Sequence, residues 1–244
     1  MTRVQSARAD VAAWLASPAF EAEPVIAVDG PPLVLDLGRG SSALGEALEG
    51  LTVERFSALI DAAMARAGTR CAYGRWGEER ALYSSEHFAG EGGERRSVHL
   101  GVDLFCAAGT PVHSPLPAVV EIVANNAREL DYGPMVILRH RNAGGLAFFT
   151  LYGHLGPECL DTLRAGQRLD AGEVFANVGG PPVNGNWPPH LHFQVVLDLL
   201  DLGREFPGVA RPSEARRWLA LSPNPAPFFP GVSAAELDGR AERN

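Results

Sequence analysis

Two short histidine-containing motifs constrain this chain more than any other feature. One is H-L-G-V-D at residues 99–103 and the other is H-L-H at residues 190–192. Side chains along an extended strand alternate between faces, so residues two or four positions apart share a face. Two such strands brought together would place two imidazoles and one carboxylate around one ion and leave one imidazole over. That is the ligand set of a catalytic zinc site with an open water position.

Composition and charge narrow the class of protein. The chain has 244 residues, of which 46% are hydrophobic and 20% charged, as in soluble globular proteins. Its formal net charge of −8 argues against a nucleic-acid partner, whose binding proteins are usually basic. We interpret the acidity as a contribution to solubility.

The N-terminal sequence bears on location. It carries an early charge and has no long apolar run before Pro18, which does not fit a signal peptide. No stretch approaches the roughly 20 apolar residues needed to span a bilayer. We therefore expect no membrane span and a cytoplasmic location, or a place in the cell envelope if a leader has been removed.

Residues 1–70 are predicted to form a helical N-terminal region. A short amphipathic helix over 1–17 would carry Val11, Trp14 and Leu15 on one side. A second helical stretch is expected from Ser42 to Ala67, in one or two pieces. Thr52 fits an N-cap and Gly68 fits a stop signal.

Residues 71–198 are predicted to form an antiparallel β domain. Runs of β-branched and apolar residues alternate there with turn signals rich in Gly, Pro, Asn and Asp. The clearest runs are 119–123, 135–140, 146–152 and 190–196. Residues 199–244 are expected to form a tail, helical around 212–221 and then rich in proline, packed on this domain.

Four segments in a fixed order resemble one known family. They are V-H-L-G-V-D-L-F-C-A-A-G-T-P-V (98–112), T-L-Y-G-H-L (150–155), L-R-A-G-Q-R-L-D-A-G-E-V-F-A-N-V-G (163–179) and P-H-L-H-F-Q-V (189–195). Together they are similar to the lysostaphin/LytM-type zinc metallopeptidases over roughly residues 95–197. The resemblance implies a mainly antiparallel β-sheet core, similar to a duplicated hybrid motif, with N-terminal and C-terminal helices.

The resemblance also implies roles for individual residues. Zn²⁺ would be bound by His99, Asp103 and His192, while His154 and His190 would be catalytic histidines beside it. Histidine titrates in the range that proton transfer at neutral pH requires. The sequence does not decide which of the two histidines is the base. The implied activity is hydrolysis of a peptide or amide bond by metal-activated water.

The implied substrate is a peptide, such as a stem or cross-bridge peptide of peptidoglycan. A second, weaker resemblance points instead to a small amide or peptide. It links V-H-L-G-V-D-L-F, A-A-G-T-P-V and N-W-P-P-H-L-H-F-Q to the metallopeptidase-like middle segment of some long bacterial proteins.

Departures from the family pattern keep a second function open. The loop at 179–189 contains Trp187 and several prolines, and Gln194 stands where a glutamate is common. A Trp187 side chain across the groove would favour a non-catalytic binding or regulatory module with an occluded zinc site.

We assign structural roles, not catalytic ones, to the remaining histidines and cysteines. No motif includes His87, His113 or His140. An odd set of three cysteines gives no disulfide framework, so Cys71, Cys106 and Cys159 are predicted to be buried free thiols. A purely structural zinc site would normally need a fourth protein ligand, and Cys106 lies on the opposite strand face from Asp103.

Overall fold

An eight-stranded, mostly antiparallel sheet forms the body of the protein. The computed structural model describes residues 3–27, 30–82, 88, 93–142 and 144–240. The strands in these residues are β1 (Leu33–Leu35), β2 (Ala72–Gly74), β3 (Val98–His99), β4 (Val102–Phe105), β5 (Pro111–His113), β6 (Ala118–Asn126), β7 (Gly133–Arg141), β8 (Ala147–Gly153), β9 (Arg168–Leu169), β10 (Val174–Asn177), β11 (His190–Val196) and β12 (Val209–Ala210).

The strand order of the large sheet is β1-β2-β4-β11-β8-β7-β6-β9, and β10-β5 and β12-β3 form two small sheets. All pairs are antiparallel except β1 with β2. This confirms the mainly β, antiparallel fold class. The four apolar runs identified in the sequence lie within β6, β7, β8 and β11, apart from Leu146, which immediately precedes β8.

Helices cover parts of the sheet. They are α1 (Arg3–Leu15), α2 (Val53–Ala67), α3 (Cys159–Thr162) and α4 (Ala215–Leu221), with short 3-10 helices at Gly203–Glu205, Pro212–Glu214 and Ala226–Phe228. Val11 and Leu15 of α1 are buried in the main core, as the amphipathic pattern predicts. Within the described residues, no helix is long and apolar enough to cross a bilayer.

The second predicted helix is shorter than expected. Thr52 accepts a hydrogen bond from the backbone N–H of Arg55 and Gly68 ends α2 in the left-handed region, so both capping predictions are confirmed. Residues 42–52 are turns instead of helix. Gly45 and Gly50 have φ values of 102° and 75°, a left-handed backbone that interrupts helical hydrogen bonding.

The sheet begins inside the N-terminal region that was expected to be helical. β1 follows the Pro31-Pro32 pair and joins β2 in parallel, with Leu33 opposite Ala72. Helix α2 then packs Phe56 and Ile60 against this edge of the sheet, in a cluster with Phe105 of β4. The division at residues 70 and 198 stays a prediction.

Candidate metal centre

Strand register brings the two sequence motifs together. In the antiparallel β4–β11 pair His192 lies directly opposite Asp103. On the other side of β11, His192 lies opposite Gly153, so His154 follows immediately at the end of β8. Opposed residues in an antiparallel pair have neighbouring side chains on one face of the sheet.

His99 reaches the same place by a different route from the one predicted. Residues 99–103 are not one extended strand, because β3 ends at His99 and the chain bends at Leu100–Gly101 before β4 begins. Gly101 lets this bend pass close to β11, since an added Cβ would lie 2.6 Å from the Phe193 carbonyl oxygen. His99 Nε2 nevertheless lies 3.1 Å from Asp103 Oδ1.

Three side-chain atoms converge closely. His192 Nδ1 lies 3.0 Å from His99 Nε2 and 3.2 Å from Asp103 Oδ1. Ligands about 2.0 Å from a tetrahedral zinc ion are about 3.3 Å from one another, so this triangle has the size that such an ion requires. In the described part of the chain, these three residues are the one set of three histidine, cysteine or acidic side chains that could hold an ion.

Arg80 links the buried carboxylate of Asp103 to a second buried carboxylate, that of Glu78. Arg80 Nη1 donates to Asp103 Oδ2 at 2.6 Å, and Arg80 Nε donates to Glu78 Oε2 at 2.8 Å. All three side chains are at most 5% exposed. The guanidinium therefore occupies one carboxylate oxygen of Asp103, while Oδ1 faces His99 and His192.

His154 and His190 complete the group of five. Their ring centroids are 4.4 Å apart, and His190 Nε2 lies 3.7 Å from Asp103 Oδ1. Each ring pairs its Nδ1 with a backbone carbonyl of the 179–189 loop: His154 with Asn184 at 2.8 Å, and His190 with Pro188 at 2.7 Å. Because a carbonyl can only accept, both Nδ1 atoms carry the proton and both Nε2 atoms have a free lone pair.

The backbone of His154 is unusual for a non-glycine residue. Its φ of 63° lies in the left-handed region. Its backbone N–H donates to the Tyr132 carbonyl at 2.7 Å and its carbonyl accepts from Gly179 N–H at 2.8 Å. Strained backbone of this kind persists where surrounding contacts fix it, and it is concentrated at functional sites.

The electrostatics favour neutral imidazoles and an ionised carboxylate. Burial, reinforced by Arg80, lowers the pKa of His99 to about 4. Burial and the neighbouring histidines hold the pKa of His154 well below its ordinary value, and burial also lowers the pKa of His190. Burial alone would raise the pKa of Asp103, but His99 and Arg80 keep it well below the ordinary value. These are the protonation states that metal binding needs.

The five side chains line one cleft that opens to solvent. Each of them is at most 6% exposed. Trp187 forms part of the wall, with its ring centroid 6.3 Å from that of His154 and 6.4 Å from that of His190. Trp187 is half-buried and lines the same cleft, which among the described residues opens to solvent.

The other histidines and the cysteines lie apart from this group. His140 is buried against Thr150, and His113 pairs with the Gly172 carbonyl. His87 lies outside the described residues. Cys71, Cys106 and Cys159 are buried free thiols, as predicted.

Two contributors to the site were missed in the sequence. Arg80 lies 23 positions before Asp103, and no spacing rule connects them. The Arg75 carbonyl, 2.9 Å from His99 Nδ1, is a backbone group that carries no sequence signal.

Comparison with known proteins adds a family match. Residues 97–200 match the model of peptidase family M23. No curated protein matches the chain.

Three solved structures show limited similarity. A zinc-containing peptidase from Vibrio cholerae is 28% identical over 43% of this chain and 28% of its own, with a TM-score of 0.33. The catalytic domain of the antimicrobial peptidase lysostaphin from Staphylococcus simulans is 22% identical over 48% of this chain and 77% of its own, with a TM-score of 0.35. Helicobacter pylori Csd3 is 25% identical over 47% of this chain and 25% of its own, with a TM-score of 0.31.

Proposed function

Since residues 97–200 belong to peptidase family M23, the LytM-type family, we propose that this protein is a zinc-dependent hydrolase of peptide or amide bonds. His99, Asp103 and His192 would hold the metal, and His154 and His190 would be catalytic. The observation that carries the proposal is the convergence of three ligand atoms within 3.0–3.2 Å of one another, beside two further imidazoles in one open cleft.

The three proposed ligands fit zinc chemically. Two imidazoles and one carboxylate are a common catalytic set, and they leave a position for water. A zinc ion held there would polarise the scissile carbonyl and make water a usable nucleophile near neutral pH. Asp103 is held ionised and oriented by Arg80, and His99 is oriented by the Arg75 carbonyl.

His154 and His190 are suited to proton transfer. Each presents an unprotonated Nε2 toward the cleft, because its Nδ1 proton is given to a backbone carbonyl. One ring accepts the proton of the attacking water, and a proton is returned to the leaving nitrogen when the C–N bond breaks. His190 Nε2 lies 3.7 Å from Asp103 Oδ1, so this carboxylate would stabilise a histidinium formed at His190. The two roles stay unassigned between the two rings.

A non-catalytic module with an occluded site is the second candidate. Low exposure of the five side chains and the position of Trp187 favour it. Continuity of the cleft with solvent favours the hydrolase.

The substrate we propose is a peptide, with peptidoglycan stem or cross-bridge peptides and small amides as the classes to assay. A nucleic-acid partner is not proposed, since the net charge is −8. Location in the cytoplasm or in the cell envelope stays a prediction, which cell fractionation tests.

Two histidine variants test the assignment of roles. His192→Ala is expected to abolish tight zinc binding, because it removes one of three ligands. His154→Ala is expected to keep the metal and lose hydrolysis of whichever peptide or wall fragment the wild type cleaves. His113→Ala is the matched control, because His113 lies outside the site. Full activity in His154→Ala would overturn its catalytic role, and zinc-loaded wild type inert toward every peptide and amide tested would overturn the hydrolase.

A further inference from the structure

We infer that Ser222, in the C-terminal tail, is a positioning residue that acts through Gln194 on the proposed ligand His192 and fixes which ring nitrogen of His192 carries the proton. The inference rests on the proposed function for its relevance to zinc. The hydrogen-bond chain that supports it stands on its own. Ser222 lies outside the segment 97–200 that matches the family model.

The chain of contacts is short and buried. His192 Nε2 lies 2.9 Å from Gln194 Oε1, and Gln194 Nε2 lies 2.8 Å from Ser222 Oγ. Gln194 and Ser222 are fully buried and His192 is 3% exposed. Buried polar groups without partners are costly, so each member of the chain depends on the next.

The Pro207 carbonyl fixes the direction of the chain. It lies 3.2 Å from the amide nitrogen of Gln194 and can only accept a hydrogen bond. The NH₂ end of Gln194 must therefore face Pro207 and Ser222, and its carbonyl oxygen must face His192. That oxygen accepts from His192 Nε2–H, which leaves the lone pair of Nδ1 directed at His99 and Asp103.

Ser222 is itself held from two sides. Its carbonyl accepts from Trp76 Nε1–H at 2.8 Å, and its backbone N–H donates to the Trp218 carbonyl at 2.9 Å. These contacts hold the Ser222 backbone, and the hydroxyl oxygen accepts from Gln194 Nε2. Trp76 comes from the segment before the family match and Ser222 from the segment after it, so both flanks of the matched domain support this ligand.

The same geometry explains the residue type at position 194. A glutamate there would also accept from His192 Nε2–H, but its second oxygen would face the Pro207 carbonyl with no proton between them. Two acceptors at that distance repel each other in a buried site. The tail therefore favours the amide of Gln194 over an ionised glutamate.

The direct test is the tautomer of His192 in zinc-free protein, measured by nitrogen-15 NMR of histidine-labelled wild type. The expected result is a proton on Nε2. A proton on Nδ1 overturns the inference. Because this measurement uses no metal and no substrate, it tests the inference even if the hydrolase proposal fails. Failure of the hydrolase proposal would be detected separately, as wild-type protein that binds no zinc.

Zinc affinity, measured by competition with a chelator, tests the relay. Gln194→Met is expected to weaken binding by about 10- to 100-fold, the usual effect of losing an outer-shell partner, and Ser222→Ala by about three- to tenfold because Pro207 remains. Ser233→Ala is the matched control, since Ser233 is exposed and its hydroxyl bonds only Glu236 among the contacts described. Its affinity is expected to stay within about twofold of wild type.

A double variant separates positioning from general stability. If Ser222 acts through Gln194, Ser222→Ala changes zinc affinity less in the Gln194→Met background than in wild type. Equal effects in both backgrounds would overturn the inference. It would also be overturned if Ser222→Ala lowered thermal stability but kept the zinc affinity and the His192 tautomer of wild type.

Discussion

The buried triad of Glu78, Arg80 and Asp103 makes a strong prediction about stability. Replacing Arg80 by Met keeps much of the side-chain volume but leaves two carboxylates, each at most 5% exposed, without their cation. Breaking a buried ion pair by removing one partner costs about 3–5 kcal/mol. For a chain of this size that loss lowers the melting temperature by about 6–20 °C.

The assay is thermal unfolding of zinc-free protein, with Arg139→Met as the matched control. Arg139 Nε also lies 2.8 Å from a carboxylate oxygen, that of Glu121, but these two side chains are 30% and 37% exposed. An exposed pair of this kind is worth about 0–1 kcal/mol. If the two variants lose the same stability, the reasoning about the buried triad is wrong.

Zinc provides a second arm of the same experiment. A bound dication beside Asp103 would replace part of the charge that Arg80 supplied. Zinc is therefore expected to raise the melting temperature of Arg80→Met by more than it raises that of wild type. No rise in the melting temperature of either protein would contradict the proposed ligand role of Asp103.

Two more predictions concern pH and the cleft. Burial lowers the pKa of His140 to about 4, so the unfolded chain binds a proton below pH 6.5 that the folded protein does not. The free energy of unfolding of zinc-free protein should fall as pH drops from 6.5 to 4, and His140 should account for about 1.4 kcal/mol per pH unit of that fall. In denaturant titrations, the His140→Gln variant should show a correspondingly shallower fall. Trp187→Ala is expected to lower kcat/KM about tenfold by removing aromatic contact surface from the cleft wall. A rise in kcat/KM would instead show that the Trp187 side chain restricts access to the cleft.

Much of the fold was predictable because its signals are local. Alternating apolar runs identify β6, β7, β8 and β11, and the cap residues Thr52 and Gly68 mark the ends of α2. β1 was missed, because three residues after a Pro-Pro pair carry no strand pattern of their own. It is a strand because β2 offers it a parallel partner.

The cluster of candidate ligands was predictable from motif spacing, but its geometry was not. Alternation along a single strand puts His99 and Asp103 on one face, whereas the structure brings them together across the bend at Gly101. The outer contacts from Arg80 and Ser222 depend on tertiary packing of segments far apart in sequence. Gln194 stands out in the sequence as a departure from the family pattern, but no sequence signal connects it with Ser222.

The central claim is tested most directly by a crystal structure of zinc-supplemented protein with anomalous scattering recorded at the zinc edge. The account predicts one strong peak within about 2.0–2.2 Å of His99 Nε2, Asp103 Oδ1 and His192 Nδ1, with the remaining position facing the cleft. A folded, metal-replete crystal with no peak between these three atoms, or with the peak at other residues, would contradict it.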